Sequence, residues 1–118
     1  MNPEIKARWV AALRSGEYQQ TQGVLQNSEG FCCLGVLCDL YAKEHGMHLW
    51  TVRDMGANDG DDEEPNDSVR TWAGLIDRNP YILMDGEDRP RHVAAFNDGV
   101  GMQPKTFAEI ADAIEAQL

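Results

Sequence analysis

Three cysteines crowd into the segment GFCCLGVLCDLYAKEHG, residues 30–46. Cys32 and Cys33 are adjacent at the expected start of a helix, and Cys38 lies inside it. A thiol at a helix N-terminus sits beside the positive end of the helix dipole and several unbonded N–H groups. Both lower its pKa and favour the nucleophilic thiolate. Metal binding is a second chemistry open to these residues. Cys38 and His45 fall two turns apart on one side of the helix, with His48 close behind. No C-x-x-C or H-x-x-x-H pair accompanies them, so no metal site is predicted. Packing is the third reading. Cys33, Val36, Leu37, Leu40 and Tyr41 recur at i, i+3, i+4, i+7 and i+8, a complete buried face that Cys33 joins as a small hydrophobe. Gly35 interrupts it at about 1 kcal/mol of helix propensity relative to Ala, which a close backbone approach by a neighbouring segment would explain. Packing accounts for the pattern without chemistry.

If the thiol is nucleophilic, FCCLG after a strand resembles the DCSG of papain-like cell-wall endopeptidases, in which Cys opens a helix and His follows from the sheet. Aligned on Gly35, the resemblance implies Cys33 as nucleophile, His92 as base and Asn97 as the orienting group. Cys32 stands where that motif has Asp, and Leu34 where it has Ser. Other site types leave weaker traces. A calcium loop begun at Asp59 would need Gly at its sixth position and Glu at its twelfth, where the chain has Glu64 and Arg70. NDGVG precedes a helix without the spacing of a dinucleotide loop, and reads as a turn in which Gly99 and Gly101 supply positive φ. Asn97 and Asp98 are expected to bond nearby backbone N–H groups there. No cofactor is predicted.

These residues need elements to hold them. Asn2 and Pro3 suit the cap and first position of an opening helix with Ile5, Trp9, Ala12 and Leu13 on one stripe, ended by Ser15-Gly16. TQGVLQNSEGFCC predicts a hairpin of strands near 21–26 and 31–32, followed by the cysteine helix to His45. MHLWTV alternates as a strand. NDSVRTWAGL predicts a short helix, and YILM a strand before a turn at Asp85-Gly86. RHVAAF fits either a strand or one helical turn. Thr106 to Glu109 is a capping box for a last helix with Phe107, Ile110, Ala111, Ile114 and Leu118 at helical spacing. The order predicts an α+β fold over residues 1–118 as one domain, a small mainly antiparallel sheet against about four helices. Its expected core is Trp9, Leu13, Phe31, Cys33, Leu37, Leu40, Trp72, Phe107, Ile110 and Ile114.

The chain has 118 residues and a net charge of −10, which opposes direct binding to nucleic acid or anionic membranes. No run of about 18 apolar residues exists to span a bilayer, and the first residues lack the apolar core of a secretory signal. With three cysteines and no disulfide spacing, a reducing cytoplasmic setting is expected. The acidity is concentrated. Seven of twenty acids lie between Asp54 and Asp67 with no Lys or Arg among them. Without those seven the rest of the chain carries −3. Residues 53–66 have no periodicity and are predicted to be a mobile acidic loop.

Three segments, IKARWVAALRSGEYQQTQGVL, FCCLGVLCDLY and FNDGVGMQPKTFAEIADAIEAQL, together with WAGL at 72–75, resemble a group of small proteins encoded in tailed phages and prophages. The resemblance implies a phage or prophage origin and a role in the infected cell's cytoplasm. It brings no activity, cofactor or site residue. In that setting the sequence favours a non-enzymatic binder that acts on a host or defence protein with a basic surface, through Asp59, Asp61, Asp62, Glu63 and Glu64. The alternatives are the thiol hydrolase of Cys33 and His92, and a DNA mimic, which would need carboxylates spread over a surface rather than bunched in one loop. The oligomeric state and the partner's identity are not encoded in any motif.

Overall fold

The computed structural model describes residues 1–46 and 65–118. The strand expected at 47–52 and the five acids Asp59, Asp61, Asp62, Glu63 and Glu64 fall outside them. Helix α1, Pro3–Arg14, is capped by the Asn2 side chain, which accepts from the N–H groups of Glu4 and Ile5. Two residues of β1, Gln26–Asn27, pair antiparallel with β2, Gly30–Phe31, around a turn in which the Asn27 side chain accepts from Glu29 and Gly30. Helix α2, Cys33–Glu44, follows at once. Helix α3, Asp67–Ala73, is capped by Asn66. A second antiparallel ladder joins β3, Tyr81–Ile82, to β4, Arg91–His92, and β4 runs directly into α4, Val93–Asp98. Helix α5, Phe107–Gln117, opens with the Thr106/Glu109 capping box. The fold is α+β, with five helices and two two-stranded antiparallel ladders among the described residues. RHVAAF is both things at once: two residues of strand, then helix. No described helix is long and apolar enough to cross a membrane.

Helix α2 is the centre of the molecule. Cys33 through Cys38 are buried on every side, beyond the single face its periodicity marks, as befits a helix surrounded by other elements. Gly35 shows why a neighbour can come so close. A Cβ there would lie 1.8 Å from the Leu25 carbonyl oxygen, and that same oxygen accepts from the N–H of Cys32 at 3.2 Å. The chain between Gln20 and Gln26 therefore crosses the helix at the one position without a side chain. Helix α1 lays Ile5, Trp9, Val10 and Leu13 into the core, and the Trp9 indole N–H donates to the Cys33 carbonyl at 2.9 Å. Phe107, Ile110, Ala111 and Ile114 of α5 meet the same core, and α1 packs against α5 more than any other pair of elements does. Arg14 bridges these two helices on the outside, to Asp112 at 2.6 Å and Glu115 at 3.0 Å.

Three residues of the expected core are only half-buried: Phe31, Leu40 and Trp72. Phe31 lies edge-on against Tyr18. Trp72 keeps its indole N–H at the surface, where the Glu44 carboxylate accepts it, in line with the tendency of tryptophan to retain a polar partner.

Candidate functional site

The start of α2 is where the sequence placed its chemistry. Cys32 is extended and acts as the cap, its sulfur accepting from the N–H of Gly35 at 3.4 Å. Cys33 is the first helical residue and is fully buried. Its thiol donates to the Val93 carbonyl at 4.0 Å. Asn97 is also fully buried. Its Oδ1 accepts from the Cys33 N–H at 3.1 Å and from Gln20 Nε2 at 2.9 Å. Its Nδ2 donates to the Thr21 carbonyl at 2.9 Å and to Asp98 Oδ1 at 3.0 Å. That fills the donor and acceptor capacity of the amide. Asp98 Oδ1 in turn accepts from the N–H of Gly23 at 2.9 Å.

This geometry corrects two expectations. Asn97 and Asp98 do not make a local turn. They are the last two residues of α4, and their side chains reach segments more than sixty residues away in sequence. The turn that follows does use Gly99 and Gly101 at positive φ. The catalytic arrangement of Cys33, His92 and Asn97 is not assembled either. Asn97 meets Cys33 through the backbone N–H and not the sulfur. The His92 ring stacks on Tyr81 with centroids 4.1 Å apart, and its Nδ1 faces the Asn79 carbonyl. Burial pushes the Cys32 thiol up to about 12 and drives the Cys33 thiol well above its ordinary value, with Cys32 and Asp98 adding to the shift. Desolvation of the thiolate outweighs the helix N-terminus. A neutral sulfur without solvent access is not a nucleophile in this conformation.

For metal, Cys38 is buried and the His45 ring stacks on Tyr41. No group of three His, Cys, Asp or Glu side chains suited to a metal ion occurs among the described residues. Tyr18, Asp39 and Lys43 form a small polar cluster instead. The Tyr18 hydroxyl donates to Asp39, and the Lys43 ammonium lies 3.1 Å from both. Desolvation, with the Asp39 carboxylate next, raises the Tyr18 pKa, and bonds to Tyr18 and Asp39 raise that of Lys43. Neither is tuned to act as a base near neutral pH.

One family model matches the whole chain, residues 1–118: Domain of unknown function (DUF8296). The chain belongs to the DUF8296 family. Comparison with curated proteins and with solved structures finds no match. In this DUF8296 domain two surface features escaped the sequence reading. On the first, at the end of α2, the Arg8 guanidinium lies over the Trp72 ring at 5.7 Å and pairs with Glu44 at 2.8 Å, while Tyr41 meets Trp72 edge-on. The second is a groove of about 280 Å³ between the stretch after β3 and helix α5, with Leu83 and Gln117 at its lip. The signals available were the alternation of YILM and the exposed phase of α5. Neither says that the two elements are neighbours.

Proposed function

We propose that this DUF8296 domain is a phage- or prophage-encoded acidic binder acting in the cytoplasm of the infected cell. It docks through Asp59, Asp61, Asp62, Glu63 and Glu64 on a basic surface of a host or defence protein. The observation that carries the reading is the charge distribution: seven acids between positions 54 and 67 with no Lys or Arg among them. Elsewhere acids are interleaved with bases: Glu44 pairs with Arg8, Asp39 with Lys43, and both Asp112 and Glu115 with Arg14, while Asp67 at the edge of the segment pairs with Arg70 and Arg78. The bunching of the charge argues for a localised docking segment over a DNA mimic, which needs carboxylates spread in a phosphate-like array. The buried, neutral Cys33 thiol argues for a binder over a thiol hydrolase.

Clustered like charge speeds encounter with a basic partner and makes affinity fall as salt rises. The test is a variant with the five acids changed to Asn or Gln, compared with the parent against a partner captured from host lysate. The parent's affinity should fall steeply with added salt. The variant should fold, bind at least about tenfold more weakly and lose most of that salt dependence. Equal affinity with an equal salt slope removes the acidic segment as the docking surface.

A further inference from the structure

Among the described residues β3 pairs with a strand on one edge only. The N–H of Val93 donates to the Pro80 carbonyl at 2.8 Å, and the register pairs Tyr81 with His92 and Ile82 with Arg91. By the alternation of an antiparallel ladder, the backbone groups of Tyr81 and Leu83 face away from β4. Those of Leu83 are both taken by one side chain. Gln117 Oε1 accepts from the Leu83 N–H at 2.7 Å, and Gln117 Nε2 donates to the Leu83 carbonyl at 2.6 Å. A primary amide offering one acceptor and one donor to one residue reproduces what a residue of a neighbouring strand would offer. Gln117 is exposed, at the last turn of α5, so its amide can swing aside at little cost in burial.

We propose that this edge takes an extended, basic peptide segment as an added strand, with Gln117 as the intramolecular place-holder that the peptide displaces. Main-chain pairing to Leu83 and Tyr81 supplies the affinity, as in other strand additions. The groove beside the edge has room for side chains because α5 presents Ala113 and Ala116 there. Its charge favours a basic partner: Asp85 and Glu109 against Lys105, with Asp112 already paired to Arg14. Tyr81 and Leu83 are 57% and 44% exposed, and both project from the strand face opposite the buried Ile82 and Met84. They provide apolar contact for alternate residues of the incoming strand. A second copy of this chain fits poorly, since it would bring the same acids to the same edge.

The probe is the capped peptide Lys-Val-Lys-Val-Lys-Val, with Glu-Val-Glu-Val-Glu-Val as its control. Both are titrated into the full chain carrying the five neutralised acids, so that capture by residues 59–64 cannot imitate the result. The lysine peptide should shift the amide signals of Tyr81 and Leu83 and the side-chain amide of Gln117, and should slow exchange of the Tyr81 N–H. The glutamate peptide should do neither. Gln117→Ala removes the competing amide and should tighten binding by about tenfold, and Ala116→Arg should fill the groove and abolish it. Both positions are exposed, and circular dichroism checks that each variant is folded. The proposal is overturned by any of four results: no binding at millimolar peptide, shifts elsewhere, equal affinity in Gln117→Ala, or undiminished binding in Ala116→Arg. Concentration-dependent shifts of Tyr81 and Leu83 in the protein alone also overturn it, in favour of a second copy at the edge.

Discussion

Asn97 joins three parts of the chain from a position without solvent exposure. One amide bonds the first N–H of α2, the side chain of Gln20 and the carbonyl of Thr21. Asn97→Ala leaves a buried donor and a buried acceptor unpaired and opens a small cavity. It should lower stability by about 2–4 kcal/mol, measured by urea unfolding. The sequence marks Asn97 as polar beside a turn, but its partners other than Asp98 lie 64 to 77 residues away, and local pattern carries no such distance. The cysteines were legible as packing because that information is periodic and local. Their burial has a pH consequence. The folded pKa of Cys32, about 12, and that of Cys33 both lie above the ordinary value of 9.0. The stabilisation that Cys32 carries is full below pH 9 and is lost as pH rises toward 12, a fall of about 1.4 kcal/mol per pH unit across that window. Cys33, raised by the same burial, pushes in the same direction. Tyr18 and Lys43, both raised, push in the same direction. Urea midpoints should therefore drop from pH 8 to pH 11, less steeply in Cys33→Ala, and neither cysteine should be alkylated by iodoacetamide at neutral pH without unfolding.

Helix α2 illustrates how element-scale information divides. Its existence, start and stop are encoded in neighbouring residues, as are the Asn2 cap of α1 and the capping box of α5. The first ladder is legible as a hairpin, though its strands are shorter than expected; the pairing of β3 with β4 is not, because strands of two residues are too short to show which partner they take. Gly35 lies between these cases. Its helix penalty signals that something approaches, and the structure identifies the Leu25 carbonyl. Two effects of opposite sign make Gly35→Ala decisive. Helix propensity alone predicts a gain of about 1 kcal/mol. The added methyl would sit 1.8 Å from a backbone oxygen, and either the helix or the crossing segment must move, at about 1–3 kcal/mol or more. The steric term should win, giving a net loss of stability in thermal or urea unfolding. A stabilised variant would mean that the Gln20–Gln26 segment does not cross α2. Leu37, fully buried on the same helix, tests the phase separately: Leu37→Ala should cost about 2–5 kcal/mol.

At the scale of the molecule, the core joins the two ends of the chain. Buried residues of α1, α2, α3, β3, α4 and α5 belong to one apolar cluster, and among the described elements α1 and α5 pack against each other most extensively. The amphipathic stripes of these helices announce that each must bury a face, but not which face meets which. That pairing depends on the whole set of elements. The acidic segment is the reverse case, visible in composition alone. The arrangement has a sharp consequence for truncation. Removing residues 107–118 deletes Phe107, Ile110, Ala111 and Ile114 from the cluster and takes away the helix against which α1 packs. Burial of a large aliphatic or aromatic side chain contributes about 1.5–3 kcal/mol, and domains of this size have about 5–15 kcal/mol in total. The truncated chain should therefore be unfolded, with no cooperative transition in far-ultraviolet circular dichroism. The intact chain should unfold once, with tryptophan fluorescence and circular dichroism superimposing along the urea axis. A truncated chain that keeps a cooperative transition, or an intact chain whose two signals separate, would mean that α1 and α2 form a stable unit without α5.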